Sequence, residues 1–220
     1  MRTVRALCLT LLLLLTPLSL LATPATAADT SVSADTTWSG AVVLTGNVTV
    51  MNGSTLTLSP GTTVDGGDGY WIRVDGTLLA SQTDFFSSQV PLTSGSHGAG
   101  LWTGIYIAAK GHAVLDEVTI HNAKTAIKVE GQLSAYKITI EDAYIGVNVI
   151  GSADIESLTA LHIDYEVLRN SGNLNLTTGT FTDIAGGLWS TGMSTLDTVT
   201  LSQAGTGLRS ASGTLSATGI

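Results

Sequence analysis

From Gly111 to the end of the chain, apolar and polar residues follow a pattern that repeats about every twenty positions. Gly111, Gly131, Gly151, Gly172, Gly192 and Gly213 stand 20, 20, 21, 20 and 21 residues apart. Two residues after the first five come Ala113, Leu133, Ala153, Leu174 and Ser194; four after come Leu115, Ala135, Ile155, Leu176 and Leu196. Seven after stand Val118, Ile138, Leu158, Gly179 and Val199, and nine after stand Ile120, Ile140, Ala160, Phe181 and Leu201. Eighteen of these twenty positions are apolar, the exceptions being Ser194 and Gly179. Residues two apart share one face of a strand, so each repeat holds two strands, and the odd step from four to seven demands a corner between them. A third inward pair precedes the glycine: Ile105 and Ile107, Ile127 and Val129, Val147 and Val149, with Leu208 in the last copy. One such coil cannot bury its own inner face, whereas coils stacked about 4.8 Å apart can. The predicted fold is all-β, a parallel β-helix with three short strands per coil of about 20 residues.

Eleven residues past each glycine a polar column runs Asn122, Asp142, His162, Asp183 and Gln203, followed by Ala123, Ala143, Ile163, Ile184 and Ala204. A polar turn residue before an inward one marks a second corner, where side-chain amides can stack from coil to coil. A leucine-rich repeat has a similar period, but its L-x-x-L-x-L-x-x-N pattern is absent and no stretch reads as a helix.

Residues 39–64 read SGAVVLTGNVTVMNGSTLTLSPGTTV, followed by WIRVDGTLLAS from Trp71 and LWTGIYI from Leu101. This resembles the opening of secreted right-handed parallel β-helix proteins of bacterial and archaeal surfaces, in the pectate-lyase-like β-helix superfamily. The resemblance spans nearly all of the chain beyond residue 27. It implies a right-handed solenoid outside the cytoplasm, and it leaves function open, since such coils serve adhesins, surface layers, lyases and glycosidases alike. Gly76 and Gly111 are 35 residues apart, so about 15 are inserted. The Ser- and Gly-rich stretch 87–100 is the predicted surface loop, between N-terminal coils over 39–86 and regular coils over 101–220. Ile220 falls at position seven of a sixth copy. The expectation is therefore further chain beyond it, or a partner that caps the open end.

The first segment reads as a targeting signal. Arg2 and Arg5 precede an apolar run from Ala6 to Leu21, and Ala25-Thr26-Ala27 offers a cleavage point, the layout of a secretory signal peptide over residues 1–27. The run is short for a membrane span and contains Pro17. Cys8 is the one cysteine of the 220 residues, so the predicted mature chain has none. That rules out disulfides, iron–sulfur clusters, thiolate zinc sites and a cysteine nucleophile there. With 44% hydrophobic, 12% charged and 25 glycines, the chain is no candidate for disorder. Its net charge of −8 disfavours nucleic acid.

Candidate chemistry lies in the outward columns. The strand before each glycine presents Tyr106, Lys128, Asn148, Arg169, Trp189 and Arg209, where alternating aromatic and basic groups could grip an acidic polysaccharide or cell-envelope component by stacking and charge-assisted hydrogen bonds. The bland alternative is a solvated face whose long side chains cover their neighbours. Tyr106, Lys128, Arg169, Trp189 and Arg209 form the candidate ligand site. Eight residues past each glycine stand Thr119, Thr139, Thr159, Thr180 and Thr200. Such an array suits ice binding, but Thr also simply favours exposed strands. His121 and Glu141 share a column and read as a surface ion pair rather than a general-base pair, with no third member in the column. Asp116, Glu156 and Asp197 sit on alternate coils, too far apart to share one Ca²⁺, and Asp154 beside Glu156 is a weak acidic pair. Asp65 and Asp68 in VDGGDG read as a coil corner. Asn47, Asn52 and Asn175 head glycosylation sequons.

No paired facing carboxylates can be assembled, as glycoside hydrolysis needs, and no N-T-D, D-D or R-I-K set of the pectin-degrading β-helices occurs. The function expected is a non-catalytic secreted or cell-surface domain with a structural, adhesive or glycan-binding role, without cofactor or metal. The alternative is a carbohydrate-active enzyme whose active coils lie beyond Ile220.

Overall fold

The computed structural model describes residues 25–27, 29–89 and 100–218. Nineteen strands and no helix occupy them. The first coils are built from β1 (Ala25–Ala27), β2 (Thr30–Val32), β3 (Thr36–Trp38), β4 (Ala41–Leu44), β5 (Val48–Val50), β6 (Thr55–Leu58) and β7 (Thr63–Asp65). Next come β8 (Trp71–Val74), β9 (Thr77–Ser81), β10 (Asp84–Phe86), β11 (Gly104–Ile107), β12 (His112–Asp116), β13 (Val118–His121) and β14 (Thr125–Val129). From there β15 (Gln132–Val149), β16 (Ser152–Asn170), β17 (Asn173–Ser190) and β18 (Met193–Ser210) each run round a whole coil without a break, and β19 (Thr214–Ala217) ends the stack.

All pairings are parallel and join each coil to the next, so the chain is a β-solenoid of about nine turns with three faces. Face A stacks β1, β4, β7, β10, β13 and the middle of β15 to β18. Face B stacks β2, β5, β8, β11, β14 and the C-terminal parts of β15 to β18. Face C stacks β3, β6, β9, β12, the N-terminal parts of β15 to β18, and β19. Three strands per coil and the corners between them are thus as the periodicity predicts. Ordered coils begin earlier than residue 39, since β2 and β3 already pair. Ala25–Ala27, at the predicted cleavage point, lies beside β4; the rest of the predicted leader lies outside the described residues. Among the described residues no helix is long and apolar enough to cross a membrane.

Each predicted inward residue from Ala113 to Val199 is buried, including Gly179. Leu201 and Leu208 are only partly buried and Ala204 is exposed, because no described strand follows β18 on faces A and B. The repeating glycine has a steric cause. A Cβ on Gly131, Gly151, Gly172 or Gly192 would strike the carbonyl oxygen of the corresponding glycine one coil earlier. The corner between faces B and C is therefore packed backbone on backbone. The corner between faces A and B is different: Asn122, Asp142, His162, Asp183 and Gln203 all adopt left-handed backbone, with φ of 58°, 54°, 53°, 51° and 52°. Asn, Asp and His are the side chains that tolerate this region best. Instead of stacked amides, the column sets an imidazole between two carboxyl groups, with His162 Nδ1 3.1 Å from Asp142 and Nε2 3.6 Å from Asp183.

The two exceptions in the inward columns each have a local partner. The space left by Gly179 is filled by the ring of Phe181, among the largest fully buried side chains. Ser194 belongs to a buried polar cluster: Asn170 Nδ2 donates to Ser194 Oγ (2.8 Å) and Met193 O (2.7 Å), and Ser190 Oγ lies 2.9 Å from Ser194 Oγ. Asn170 Oδ1 accepts from Gly172 N at 2.9 Å, so its buried amide is satisfied on both sides.

The insertion sits between β10 and β11. Of the predicted loop 87–100, residues 90–99 lie outside the described residues. Its two roots are firmly held. Asp65 accepts from Gly67 N, Ser88 N and Ser88 Oγ, which makes the VDGGDG turn a structural corner. Trp102 is fully buried, stacks on Phe85 with ring centroids 6.2 Å apart, and donates Nε1 to His121 O at 2.7 Å. Gly66 leaves room for that indole, since a Cβ there would lie 2.5 Å from Trp102 Cδ2.

Candidate functional site

Face B aligns the predicted binding residues in one register: Tyr106 beside Lys128, then Asn148, Arg169, Trp189 and Arg209 on successive coils. Parallel pairing at a fixed inward register points these side chains the same way. The structure adds Arg73, directly beside Tyr106 on the preceding coil. Counting in steps of twenty misses it, because the insertion separates β8 from β11. Matching Ile72 and Val74 to Ile105 and Ile107 would have revealed it. The completed column carries a cation on every second coil, at Arg73, Lys128, Arg169 and Arg209. Those cations are about 9–10 Å apart at the strand spacing.

The two ends of the column differ in electrostatics. At the first, Arg73 Cζ lies 4.8 Å and Lys128 Nζ 4.5 Å from the centre of the Tyr106 ring, which sits between two cations. Both are neutralised from their own strands, where residues two apart share a face. Arg73 donates twice to Asp75 at 2.8 Å, and Lys128 donates to Glu130 at 2.7 Å. Tyr106 Oη donates to the other Glu130 oxygen at 2.6 Å. The Arg73 guanidinium holds Asp75 below the usual carboxylate range. Lys128 and then Tyr106 do the same to Glu130. Burial, with Glu130 beside it, raises the Tyr106 phenol. Beside this block Trp71, Tyr106, Lys124 and Thr125 line a groove of about 360 Å³.

At the other end Arg169 Cζ lies 4.8 Å over the Trp189 ring. Among the described residues no carboxylate comes within 4.0 Å of Arg169 or Arg209, so neither guanidinium has the direct ion pair that Arg73 and Lys128 have. A groove of about 270 Å³ opens here, lined by Tyr165, Glu166, Leu188, Trp189, Thr206 and Arg209. Glu166 was not a sequence candidate. Ala143 faces Ile163 but Ile145 faces Glu166, so the 21-residue coil bulges between Ile163 and Glu166 and sets the carboxylate at the head of the strand. Its Oε2 is shut off from water and has no hydrogen-bond partner among the described residues. Burial raises the Glu166 carboxyl, opposed by the charge of Arg169. Tyr165 stacks on Tyr144 of the preceding coil, with centroids 5.3 Å apart and both rings exposed.

The remaining candidates do not converge on a reactive centre. His121 lies 3.3 Å from Glu141, but also 3.3 Å from Asp84, a third member contributed from across the insertion. Asp84 is the larger cause of a raised His121 pKa, partly offset by burial and helped by Glu141 and Asp142. An imidazole held between carboxylates on both nitrogens is a surface ion network. Thr119, Thr139, Thr159, Thr180 and Thr200 pair in direct register down face A. Only β17 and β18 add a second threonine beside it, Thr178 and Thr198. On face C, Asp116, Asp154, Glu156 and Tyr136 line a shallow groove, in which Asp154 accepts from Asn175 at 2.9 Å. Among the described residues no three His, Cys, Asp or Glu side chains are placed to hold a metal ion. Compared with protein families, with curated proteins and with solved structures, the chain finds no match.

Proposed function

We propose that this protein is a non-catalytic, extracytoplasmic binding domain that lays an acidic polysaccharide along face B. One observation carries the reading: a column with a cation on every second coil and Tyr106, Asn148 and Trp189 between, two of whose guanidiniums have no carboxylate partner among the described residues. A straight chain of sugars offers the matching features, with apolar C–H surface to lie beside the aromatic rings and carboxylates or sulfates for the guanidiniums. Tyr106 and Trp189 stand four coils apart, about 19 Å at the strand spacing, which suits an extended ligand rather than a single sugar. Neither groove of face B has two carboxylates in its lining, so the arrangement serves binding rather than glycoside hydrolysis. The leader-like first 27 residues and the resemblance of residues 39–64 to secreted surface β-helices of the pectate-lyase-like superfamily support the compartment.

The test is titration of a polyuronate at several salt concentrations. Binding should weaken steeply as salt rises. Arg169→Ala and Arg209→Ala should each cost about tenfold in affinity, as for a charge-assisted hydrogen bond, and more than Lys128→Ala, because Lys128 is already neutralised by Glu130. Equal affinity for all three variants and the parent would overturn the reading. Release of new reducing ends or unsaturated products would instead support the enzyme alternative.

A further inference from the structure

We infer that the groove beside Trp189 selects an uncharged sugar between two acidic ones, so that the ligand of face B is an alternating glycan rather than a uniform polyuronate. This rests on the reading of face B as a polysaccharide site and names the repeat it takes. Four features meet at the same place. Trp189 lies one coil after Arg169 and one before Arg209, so an acidic sugar at each guanidinium leaves one ring position beside the indole. That position shares its groove with Glu166, a partly buried carboxylate. The bulge before Glu166 places the carboxylate there; a regular coil of twenty would not. Gly186, paired with Glu166 on the next coil, keeps the space open, since a Cβ would lie 3.0 Å from Tyr165 O and 3.4 Å from Glu166 Cγ.

The chemistry of the missing partner follows. Glu166 is only partly buried and lines the groove, so its carboxylate can accept a hydrogen bond there from a ligand O–H or N–H. A uronate carboxylate brought into the same groove would face a second anion at close range, a like-charge contact that acts as a filter. Hydroxyl or acetamido groups of a neutral sugar fit the position beside the indole, while the flanking guanidiniums take the acidic neighbours.

The test compares two probes of equal length on the purified chain: oligogalacturonate, with a carboxylate on every ring, and an oligosaccharide alternating glucuronate with N-acetylhexosamine. The parent should bind the alternating probe about tenfold more tightly, and Glu166→Gln, which keeps the shape and removes the charge, should bring the two affinities together. Gly186→Ala should weaken both probes by narrowing the groove, with an unchanged circular dichroism spectrum showing that the solenoid persists. If the parent binds both probes equally and Arg169→Ala weakens both, face B is a polysaccharide site and the selection by Glu166 is refuted. If the preference survives Glu166→Gln, the selection is refuted as well. If neither probe binds, or Arg169→Ala and Arg209→Ala change nothing, the reading of face B itself fails and the inference with it.

Discussion

Replacing Gly179 by valine would restore the apolar residue that Leu158 and Val199 supply at the same point of the neighbouring coils, and repeat regularity alone argues that it should stabilise the protein. The packing argues the reverse. A Cβ at Gly179 would come within 3.0 Å of Phe181 Cζ and 3.1 Å of Leu176 Cδ2, before valine's methyl groups are added. Phe181 and Leu176 are both fully buried and have no free volume to move into. Overpacking of this kind costs about 1–3 kcal/mol, offset by about 0.5–1 kcal/mol for removing a flexible glycine from a strand. The expected net loss of about 1–2 kcal/mol would lower a urea midpoint by roughly 0.5 M, taking a slope of about 2–3 kcal/mol/M for a chain of this size. Phe181→Leu alone should also destabilise, by opening a cavity. The double variant Gly179→Val with Phe181→Leu should lose clearly less than the sum of the two, because valine fills what the ring vacates. Urea unfolding of the four proteins, followed by circular dichroism, measures the cycle. An unchanged or raised midpoint for Gly179→Val, or strictly additive losses, would refute the claim that the ring compensates for the glycine.

Three further outcomes test other parts of the structure. Asn170→Ala should cost about 1–3 kcal/mol in urea unfolding, since it takes a hydrogen-bond partner from Met193 O, Gly172 N and Ser194 Oγ; adding Ser190→Ala and Ser194→Val should recover part of it. Gly151→Ala should cost more than Gly207→Ala, because its Cβ would collide with Glu130 O and Gly131 O while that of Gly207 meets only Leu201 Cδ1 at 3.4 Å; melting temperatures of the pair decide it. His121 has a raised pKa, so its contribution to stability is fully present below the ordinary histidine value of 6.5 and is lost as pH rises through the raised value. Thermal melts between pH 5 and 9 should show that loss in the parent and a flatter profile in His121→Gln; identical profiles would contradict the Asp84–His121–Glu141 network.

Much of this protein is legible in its sequence because a solenoid repeats one local rule. The inward columns, the polar corner from Asn122 to Gln203, the insertion after Phe86 and the outward column from Tyr106 to Arg209 all follow from spacing, since each coil must present the same residues to the coil below it. The state of those side chains does not follow in the same way. Asp75 and Glu130 neutralise Arg73 and Lys128, while among the described residues no carboxylate pairs with Arg169 or Arg209, and that division of face B is a matter of side-chain geometry.

The tertiary structure also decided whatever breaks the period. Arg73 joins the column, and Asp84 joins His121, across an insertion that defeats counting in twenties. Glu166 enters a groove because one extra residue shifts the register of its coil, and Ser194 becomes a sound core residue only because Asn170 and Ser190 reach it from neighbouring positions. Periodicity along a chain is a one-dimensional property that determines which residues point inward. Compensation, charge pairing and the opening of a groove depend on contacts between coils, and those exist only once the coils are stacked.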